Sequence, residues 1–354
     1  MKNENITAIN SSNEPIMKKV LVTGAAGFIG ARVVEMLLEK DNYVVGLDNL
    51  NDYYDVRLKY NRLAKVEITA EDLEYGQITV SNKFKNYSFI KLNIEDRVAL
   101  PELFAKENFD IVCNLAAQAG VRYSIENPNA YIDSNLVGFA NILECCRHHK
   151  IKHLVYASSS SVYGMNSKVP FSEDDQTDEP VSLYAATKKA NELMAHAYSS
   201  LYKFPATGLR FFTVYGPWGR PDMAPMLFAK AIMAGEPINV FNNGDLYRDF
   251  TYIDDIAEGV LMVIDKTPEE KTLNKIYNIG CAQPVHLLDF IRTLETTLSR
   301  KAKLKMMSMQ AGDVLKTYAD TKRLNKEFGY KPKVQLEEGI EQFIKWYLSA
   351  DNKY

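Results

Sequence analysis

The sequence predicts an α/β fold in which helices cover both faces of a doubly wound, mostly parallel sheet. Three observations support this fold class. Short apolar runs rich in β-branched residues alternate with segments of helical periodicity, a glycine-rich loop follows the first run at 24–30, and Asp48 ends the second run. Strands of parallel sheets are buried on both faces, so continuous apolar runs of this kind are typical of them.

Six apolar runs are predicted strands, and the segments between them supply most of the predicted helices. The strands are placed at 18–23, 43–48, 87–92, 111–116, 153–157 and 206–211. The helices are placed at 31–40, 51–65, 97–106, 129–148 and 183–203. The segment 68–87 has no clear period, and we expect a loop or insertion there.

The pattern becomes irregular after Tyr215, which predicts a second, smaller mixed region. A loop rich in glycine and proline covers 216–225, and a helix is predicted near 226–234. The stretch 241–251 contains its own turn at 242–244.

Composition and charge exclude several classes of function. Of the 354 residues, 46% are hydrophobic and 25% are charged, and the formal net charge of −3 provides no basic field for nucleic acid. No apolar run reaches the roughly 18 residues that a membrane span needs. The polar residues 1–16 lack the pattern of a signal peptide, and we interpret them as a flexible tail. With only four cysteines, these features predict a cytoplasmic protein without a membrane or nucleic-acid partner.

Cys145, Cys146, His148 and His149 lie close together in the sequence and weakly resemble a metal-binding cluster. Neighbouring residues on a helix point in different directions, and no second cluster of ligands follows. We therefore expect no metal site.

Gly24, Gly27 and Gly30 form a G-x-x-G-x-x-G loop between the first strand and the first helix. A helix N-terminus offers unpaired N–H groups, and glycine lets the backbone approach a ligand closely, so the loop suits a pyrophosphate. Alone it is a weak signal, because any tight strand-to-helix turn uses glycine. Asp48 strengthens it, because an acid at the end of the second strand binds the adenosine ribose of a dinucleotide. Its carboxylate would repel a 2′-phosphate, which favours NAD over NADP; the alternative is an aspartate that caps the following helix.

Tyr184 and Lys188 form a Y-x-x-x-K pair on a predicted helix, where residues four apart share one face. A lysine ammonium near a phenol lowers the pKa of the phenol from about 10, so the tyrosine can act as a general base. Most such pairs are surface residues. Here a run of serines, 158–161, follows the fifth strand, where active-site groups of parallel sheets gather. A hydroxyl there can share a hydrogen bond with the substrate oxygen that Tyr184 deprotonates; a polar loop is the alternative.

These motifs together resemble the extended short-chain dehydrogenase/reductase family, over almost the whole chain from Lys18. Within that family the chain is most similar to the nucleotide-sugar epimerases, in particular those that act on UDP-glucuronate. The longest matching stretches are 48–55 (DNLNDYYD), 116–124 (AAQAGVRYS), 158–164 (SSSSVYG) and 211–220 (FFTVYGPWGR).

The resemblance implies a two-domain enzyme and a reaction. A Rossmann-type domain, 17–210 with about 247–283, would bind NAD, and a smaller discontinuous domain, about 211–246 and 284–350, would bind the UDP-sugar. Tyr184, with Ser159 as its hydroxyl partner, would deprotonate the C4 hydroxyl while C4 gives hydride to NAD. The 4-keto sugar would turn over and take hydride back on its other face, which converts UDP-glucuronate to UDP-galacturonate.

The resemblance also implies binding residues. For the cofactor they are Gly24, Gly27, Phe28, Ile29, Gly30, Asp48, Asn49, Asn93, Ile94, Leu115, Ala116, Ala117, Asn135, Tyr184 and Lys188. For the substrate they are Arg122, Ser160, Ser161, Thr213, Arg220, Arg248, Gln310 and Asp313. Arg248 matches a pyrophosphate-binding arginine, with a structural salt bridge to Asp249 or Asp254 as the alternative. Asn93 replaces an aspartate that many relatives place near adenine.

Ser160, Ser161 and Thr213 favour an epimerase of uronates. The 4,6-dehydratases and UDP-glucuronate decarboxylases of the family have an acid where this chain has serines. The UDP-galactose 4-epimerases have asparagine in place of Thr213, and a small hydroxyl there suits a carboxylate at C5. We expect neutral donors to hold this carboxylate and Arg220 to lie further out, because a β-keto acid readily loses CO2; a surface arginine is the alternative.

Three alternatives stay open: another UDP-sugar 4-epimerase, acting on UDP-glucose, UDP-galactose or N-acetylated sugars; a UDP-glucuronate decarboxylase; and a non-catalytic NAD-binding regulator. The intact set of Ser159, Tyr184 and Lys188 argues against the regulator. The resemblance further implies a homodimer, formed by two helices near 132–147 and 183–203.

Overall fold

The structure is a computed structural model that describes residues 17–268, 273–309 and 314–352. The expected flexible tail, 1–16, lies outside the described residues, and so do Gln310 and Asp313.

Strands and helices alternate through the first two thirds of the described chain. The strands are β1 (Lys19–Thr23), β2 (Tyr43–Asp48), β3 (Ile78–Val80), β4 (Tyr87–Lys91), β5 (Ile111–Asn114), β6 (His153–Ser159), β7 (Ala206–Phe211), β8 (Thr213–Tyr215), β9 (Pro237–Val240), β10 (Tyr247–Tyr252), β11 (Asn274–Ile279), β12 (Pro284–His286) and β13 (Lys303–Met306). The helices are α1 (Phe28–Leu38), α2 (Arg57–Ala64), α3 (Ala99–Glu107), α4 (Tyr123–Glu126), α5 (Pro128–Tyr131), α6 (Phe139–His148), α7 (Leu183–Tyr202), α8 (Ala224–Ala234), α9 (Ile253–Asp265), α10 (Leu287–Leu298), α11 (Lys322–Phe328) and α12 (Leu336–Tyr347).

A large sheet has the strand order β11-β7-β6-β5-β1-β2-β4-β3, and its pairings are parallel except for β3 with β4. Two smaller sheets, β12-β10-β8 and β13-β9, are built from the second half of the chain. The predicted α/β class with a parallel, Rossmann-type sheet is therefore confirmed.

Two hydrophobic clusters lie on opposite faces of the large sheet, because successive side chains of a strand point to opposite sides. Val20 and Val22 of β1 belong to the cluster that includes residues of α1 and α9. Leu21, between them, belongs to the cluster of α3 and α6. Because both faces of β1 are buried, its sequence is a continuous apolar run without alternating polar residues.

The segment 129–148 is not the single α-helix that its periodicity predicts. It contains α5, a π-helical stretch Ile132–Gly138, and α6. Within the stretch, the side chain of Asn191 donates to the carbonyl of Asn135 at 2.6 Å, and a Cβ on Gly138 would lie 2.6 Å from Ile94. These tertiary contacts fix a backbone path that apolar spacing alone does not reveal.

Two further segments differ from the predictions. The segment 68–87 is not all loop, because β3 pairs antiparallel with β4 at the edge of the large sheet. The helix predicted at 51–65 begins only at Arg57, after the Asp55 carboxylate accepts the Arg57 backbone N–H at 3.0 Å.

Candidate active site

A cavity of about 420 Å³ lies at the carboxyl ends of β1, β2, β4, β5 and β6. Ligands of open parallel sheets bind at this edge. The residues of the sequence predictions that line it are Gly24, Gly27, Phe28, Ile29, Gly30, Asp48, Asn49, Ile94, Leu115, Ala116, Ala117, Ser159, Ser160, Ser161, Tyr184, Lys188, Thr213 and Arg220.

The glycine loop needs glycine at its positions because the backbone is packed against itself. Gly24 has φ +69°, and a Cβ there would lie 2.9 Å from the Ala116 backbone nitrogen. A Cβ on Gly30 would lie 2.0 Å from the carbonyl oxygen of Gly24. The loop thus brings its backbone, and the N-terminus of α1 at Phe28, to the cavity without side chains in the way.

Asp48 has structural partners as well as a place in the cavity wall. Its carboxylate accepts the backbone N–H groups of Ala26 at 3.3 Å and Leu50 at 2.9 Å. The buried ammonium of Lys59 lies 3.2 Å from the same carboxylate and donates to the side chain of Asn51 at 2.9 Å. Lys59 therefore offsets part of the negative charge that the sequence analysis assigned to Asp48.

Tyr184 and Lys188 reach the cavity from the first turns of α7. Ser182 caps this helix by accepting the Ala185 backbone N–H at 3.1 Å, which starts the helix directly before Tyr184. The serine run ends β6, and the hydroxyls of Ser159 and Ser161 share a hydrogen bond of 2.6 Å. The strand end and the helix start thus present a phenol, an ammonium and several hydroxyls to one cavity.

The electrostatics of Tyr184 differ from the sequence-based expectation. Burial raises the pKa of its phenol, while a hydrogen bond with Ser159 and the positive charge of Arg220 act in the opposite direction. Burial also lowers the pKa of Lys188 to about 8, and its ammonium donates to the carbonyl of Ala157 at 2.9 Å. In the structure, Ser159 and Arg220 are the groups that oppose the effect of burial on the pKa of the phenol.

A buried ion pair stands behind the serine run. Glu192 lies on the same face of α7 as Tyr184 and Lys188, because these residues follow one another at intervals of four. Its carboxylate accepts a hydrogen bond from the Ser158 hydroxyl at 2.6 Å. Arg210 of β7 binds the same carboxylate through Nε at 2.8 Å and Nη2 at 2.9 Å, and donates to the Tyr163 hydroxyl at 3.0 Å. This network ties α7 to the carboxyl ends of β6 and β7.

Arg220 lies in the wall of the same cavity as Thr213. Its guanidinium binds Asp222 through Nε at 3.1 Å and Nη2 at 2.5 Å. The hydroxyl of Tyr53 donates to the same carboxylate at 3.1 Å. Only 19% of the Arg220 side chain is exposed, so it is not a free surface arginine.

Four of the predicted residues that the structure describes lie outside the cavity wall. Asn93 is exposed, while the neighbouring Ile94 lines the cavity. Asn135 is buried behind the wall, where its side chain binds the backbone of Gln118 and the hydroxyl of Thr187.

The other two are arginines. Arg122 packs its guanidinium 5.1 Å from the ring centroid of Phe241. Arg248 donates to the carbonyls of Tyr247 at 3.0 Å and Leu315 at 3.3 Å. The alternative salt-bridge partners predicted for Arg248 from the sequence are Asp249 and Asp254. The Asp249 carboxylate accepts the backbone N–H groups of Cys281, Ala282 and Ala319. The Asp254 carboxylate binds Arg32.

The sequence reasoning missed several residues of the cavity wall. They include Tyr53, Tyr54, Lys59, Glu95, Gln118, Ser134, Ser158, Phe212 and Met223. Most of them lie within or beside the stretches that carry the family resemblance, so their position in the sequence could have identified them as candidate site residues. Glu95 is held by the Ser134 hydroxyl at 2.6 Å, a contact between distant segments that spacing cannot indicate.

The residues present fit a dinucleotide such as NAD. The glycine cradle that a Cβ would fill and the helix N-terminus suit a pyrophosphate, and Asp48 suits ribose hydroxyls. Elsewhere, the described residues contain no group of three or more His, Cys, Asp and Glu side chains arranged for a metal ion. No helix in the described ranges is long and apolar enough to cross a membrane.

Comparison with known proteins agrees with this geometry. The model of the NAD dependent epimerase/dehydratase family matches residues 20–280. Protein CapI of Staphylococcus aureus is 48% identical over 349 residues, which are 95% of this chain and 100% of that protein. A probable UDP-glucuronate 4-epimerase of Rhizobium meliloti is 45% identical over 344 residues, which are 93% of this chain and 96% of that protein.

A solved structure shares the fold of this chain. It is the UDP-glucuronic acid 4-epimerase of Bacillus cereus, in complex with UDP-glucuronic acid and NAD. The match has a TM-score of 0.83 and 32% identity, and it covers 93% of this chain and 98% of that one.

Proposed function

Because the chain belongs to the NAD dependent epimerase/dehydratase family, we propose that it converts UDP-glucuronate to UDP-galacturonate by 4-epimerisation. It is an NAD-dependent enzyme of the nucleotide-sugar epimerases. The observation that supports the finer proposal is the composition of the cavity wall, which contains Tyr184 together with the hydroxyl-bearing residues Ser159, Ser160, Ser161 and Thr213.

Tyr184 is the base and the acid of the proposed reaction. Its phenolate takes the proton of the C4 hydroxyl during oxidation and returns a proton to the C4 oxygen during reduction. Bound NAD, which the glycine loop and Asp48 would hold, would supply the hydride chemistry at C4, and a transfer back to the opposite face of the sugar would invert this carbon. The Ser159 hydroxyl, held by Ser161 at 2.6 Å, orients the C4 oxygen toward Tyr184.

Ser160, Ser161 and Thr213 are suited to hold the C5 carboxylate by neutral hydrogen bonds. The 4-keto intermediate is a β-keto acid, which loses CO2 when electrons can flow from the carboxylate into the ketone. Hydroxyl groups that donate hydrogen bonds to the carboxylate stabilise its negative charge, and they therefore oppose this loss of CO2. The Arg220 guanidinium in the same wall adds a positive charge, although Asp222 neutralises it at close range.

The positions of the carboxylates argue against a dehydratase. Among the described residues of the cavity wall, the acids are Asp48 and Glu95. Asp48 ends β2, three strands from β6, which is roughly 14 Å at about 4.8 Å per strand. Glu95 follows β4, one strand further away. Neither carboxylate is in place to protonate a leaving hydroxyl beside Tyr184.

The decisive experiment incubates the purified protein with UDP-glucuronate and identifies the products by chromatography and NMR. We expect UDP-galacturonate, without release of CO2. UDP-glucose and UDP-N-acetylglucosamine are run in parallel, and we expect lower turnover because they lack the carboxylate that the serines and Thr213 would bind.

Three other outcomes would contradict the proposal. UDP-xylose or a 4-keto pentose would show decarboxylation, and faster epimerisation of UDP-glucose would assign the enzyme to a different sugar. Absence of turnover on every UDP-sugar would favour the non-catalytic alternative. Tyr184→Phe is the control for authentic catalysis, because it keeps the ring and removes only the hydroxyl.

A further inference from the structure

Two loops that are distant in the sequence are joined by a polar cluster of Tyr53, Arg220 and Asp222. Tyr53 lies in the loop after β2, which begins at the cofactor residue Asp48. Asp222 lies in the loop before α8, which also carries Arg220. The Tyr53 hydroxyl and the Arg220 guanidinium both bind the Asp222 carboxylate.

The side chain of Tyr53 is fixed by its surroundings. Its ring packs against Tyr123 with centroids 4.8 Å apart, and the Arg220 guanidinium lies 5.7 Å from its centroid. A Cβ on Gly120 would lie 2.7 Å from the Tyr53 hydroxyl, so this backbone passes directly beside it. The hydroxyl therefore presents a rigid donor to Asp222.

The two-point contact with Asp222 fixes the plane of the Arg220 guanidinium. Nε and Nη2 bind the two carboxylate oxygens, which is the bidentate geometry that holds an arginine most firmly. Asp222 keeps 31% of its side chain exposed and Arg220 keeps 19%, so the pair is only partly exposed to solvent. An arginine without this anchor would be free to extend into water.

We propose that Asp222 and Tyr53 are positioning residues that hold the Arg220 guanidinium in the cavity wall that Tyr184 also lines. The inference rests on the proposed base role of Tyr184. It does not depend on which UDP-sugar is the substrate.

The groups around Tyr184 determine the direction in which the loss of Asp222 should change the pKa of Tyr184. Ser159 faces it from β6, Lys188 lies on its own helix, and the Tyr131 ring of α5 is 6.1 Å away between centroids. Arg220 lowers the pKa of Tyr184. If Asp222 positions Arg220, its loss lets the guanidinium leave and raises the pKa of Tyr184. If Asp222 acted only through its own negative charge, its loss would lower that pKa.

The test measures kcat against pH for wild type, Asp222→Asn, Tyr53→Phe and Arg220→Gln, with whichever UDP-sugar the wild type epimerises. We expect the acidic limb of Asp222→Asn to move upward by about one pH unit, a roughly tenfold loss of rate below the midpoint. Arg220→Gln should move the limb in the same direction, and Tyr53→Phe should move it less. Adding Asp222→Asn to Arg220→Gln should cause no further shift.

Several results would overturn the inference: an unchanged or lowered midpoint in Asp222→Asn, or additive shifts in the double variant. Asp289→Asn is the matched control, because it breaks an exposed pair with Arg292 at 2.7 Å on α10. Bound NAD and the thermal midpoint are measured for each variant, which separates a shifted profile from unfolding. Failure of the wild type on UDP-glucuronate alone would contradict the proposed substrate and leave this comparison intact.

Discussion

Ser159 combines two contacts that determine how Tyr184 can work. Its hydroxyl bonds with Tyr184 and lowers the pKa of the phenol, and it also accepts the Ser161 backbone N–H at 3.2 Å. The fold therefore orients the hydroxyl before any substrate arrives. A preorganised donor of this kind is worth more than a mobile one, because no reorganisation is needed during the reaction.

Ser159→Ala should shift the pH dependence of the enzyme. Loss of the hydroxyl removes a group that lowers the pKa of Tyr184, while burial still raises it. The base must be deprotonated to act, so the rising limb of kcat should move to higher pH and the rate at pH 7 should fall. The measurement is a pH profile of kcat.

Ser167→Ala, in an exposed loop, is the control for this variant. A Ser159→Ala enzyme with the wild-type profile would show that the serine does not act on the base.

Residues at fixed spacing on one element could be predicted from the sequence, and residues joined across loops could not. Tyr184 and Lys188 share a helix face whatever the rest of the chain does. The roles of Lys59 beside Asp48 and of Asp222 beside Arg220 depend on where separate loops meet in space. For the same reason the influence of Arg220 on the pKa of the Tyr184 phenol could not be predicted from the sequence.

At the scale of elements, the strands were predicted best because their burial on both faces leaves a continuous apolar run. β2 and β7 begin and end where the sequence places them. The helices were predicted less well where tertiary contacts shape the backbone, as in the π-helical stretch before α6. The edge strand β3 was missed, since three partly exposed residues carry no alternation.

Gly30→Ala should destroy the turn between β1 and α1. The added Cβ would lie 2.0 Å from the Gly24 carbonyl oxygen, so the loop must move. Overpacking of this kind costs about 1–3 kcal/mol. We expect a lower thermal midpoint and loss of copurifying NAD, measured by thermal unfolding and by nucleotide content.

Gly235→Ala separates this steric effect from a general cost of removing glycine. Gly235 ends α8 at φ +68° and would place its Cβ in open space. This variant should lose about 1 kcal/mol of stability and keep its NAD. Equal NAD contents in the two variants would argue against the phosphate-loop role of 24–30.

At the scale of the whole molecule, α7 has two different sides. Tyr184, Lys188 and Glu192 face the interior, whereas Leu193 and Leu201 are 59% and 69% exposed. Large exposed apolar side chains on one helix favour contact with another chain. We therefore keep the homodimer as a prediction, with α7 and its neighbour α6 at the interface.

Leu193→Glu combined with Leu201→Glu should give a monomer, because two carboxylates would be buried without partners at the interface. Sedimentation velocity of the double variant and the wild type measures the change. Val98→Glu, at a position 68% exposed before α3, should leave the oligomeric state unchanged. A wild type that sediments as a monomer would rule out the dimer.

The place of β11 at the outer edge of the large sheet has a consequence for how the chain is made. β11 pairs with β7 along its whole length, from Asn274 beside Ala206 to Ile279 beside Phe211. During synthesis on the ribosome, the other strands of the sheet emerge first, and β7 presents an unpaired edge until residue 279 has left the exit tunnel. Open edges of this kind invite pairing with other chains. Premature termination before β11 should therefore yield nascent chains that depend on chaperones, even though the glycine loop and Tyr184 are already complete in them.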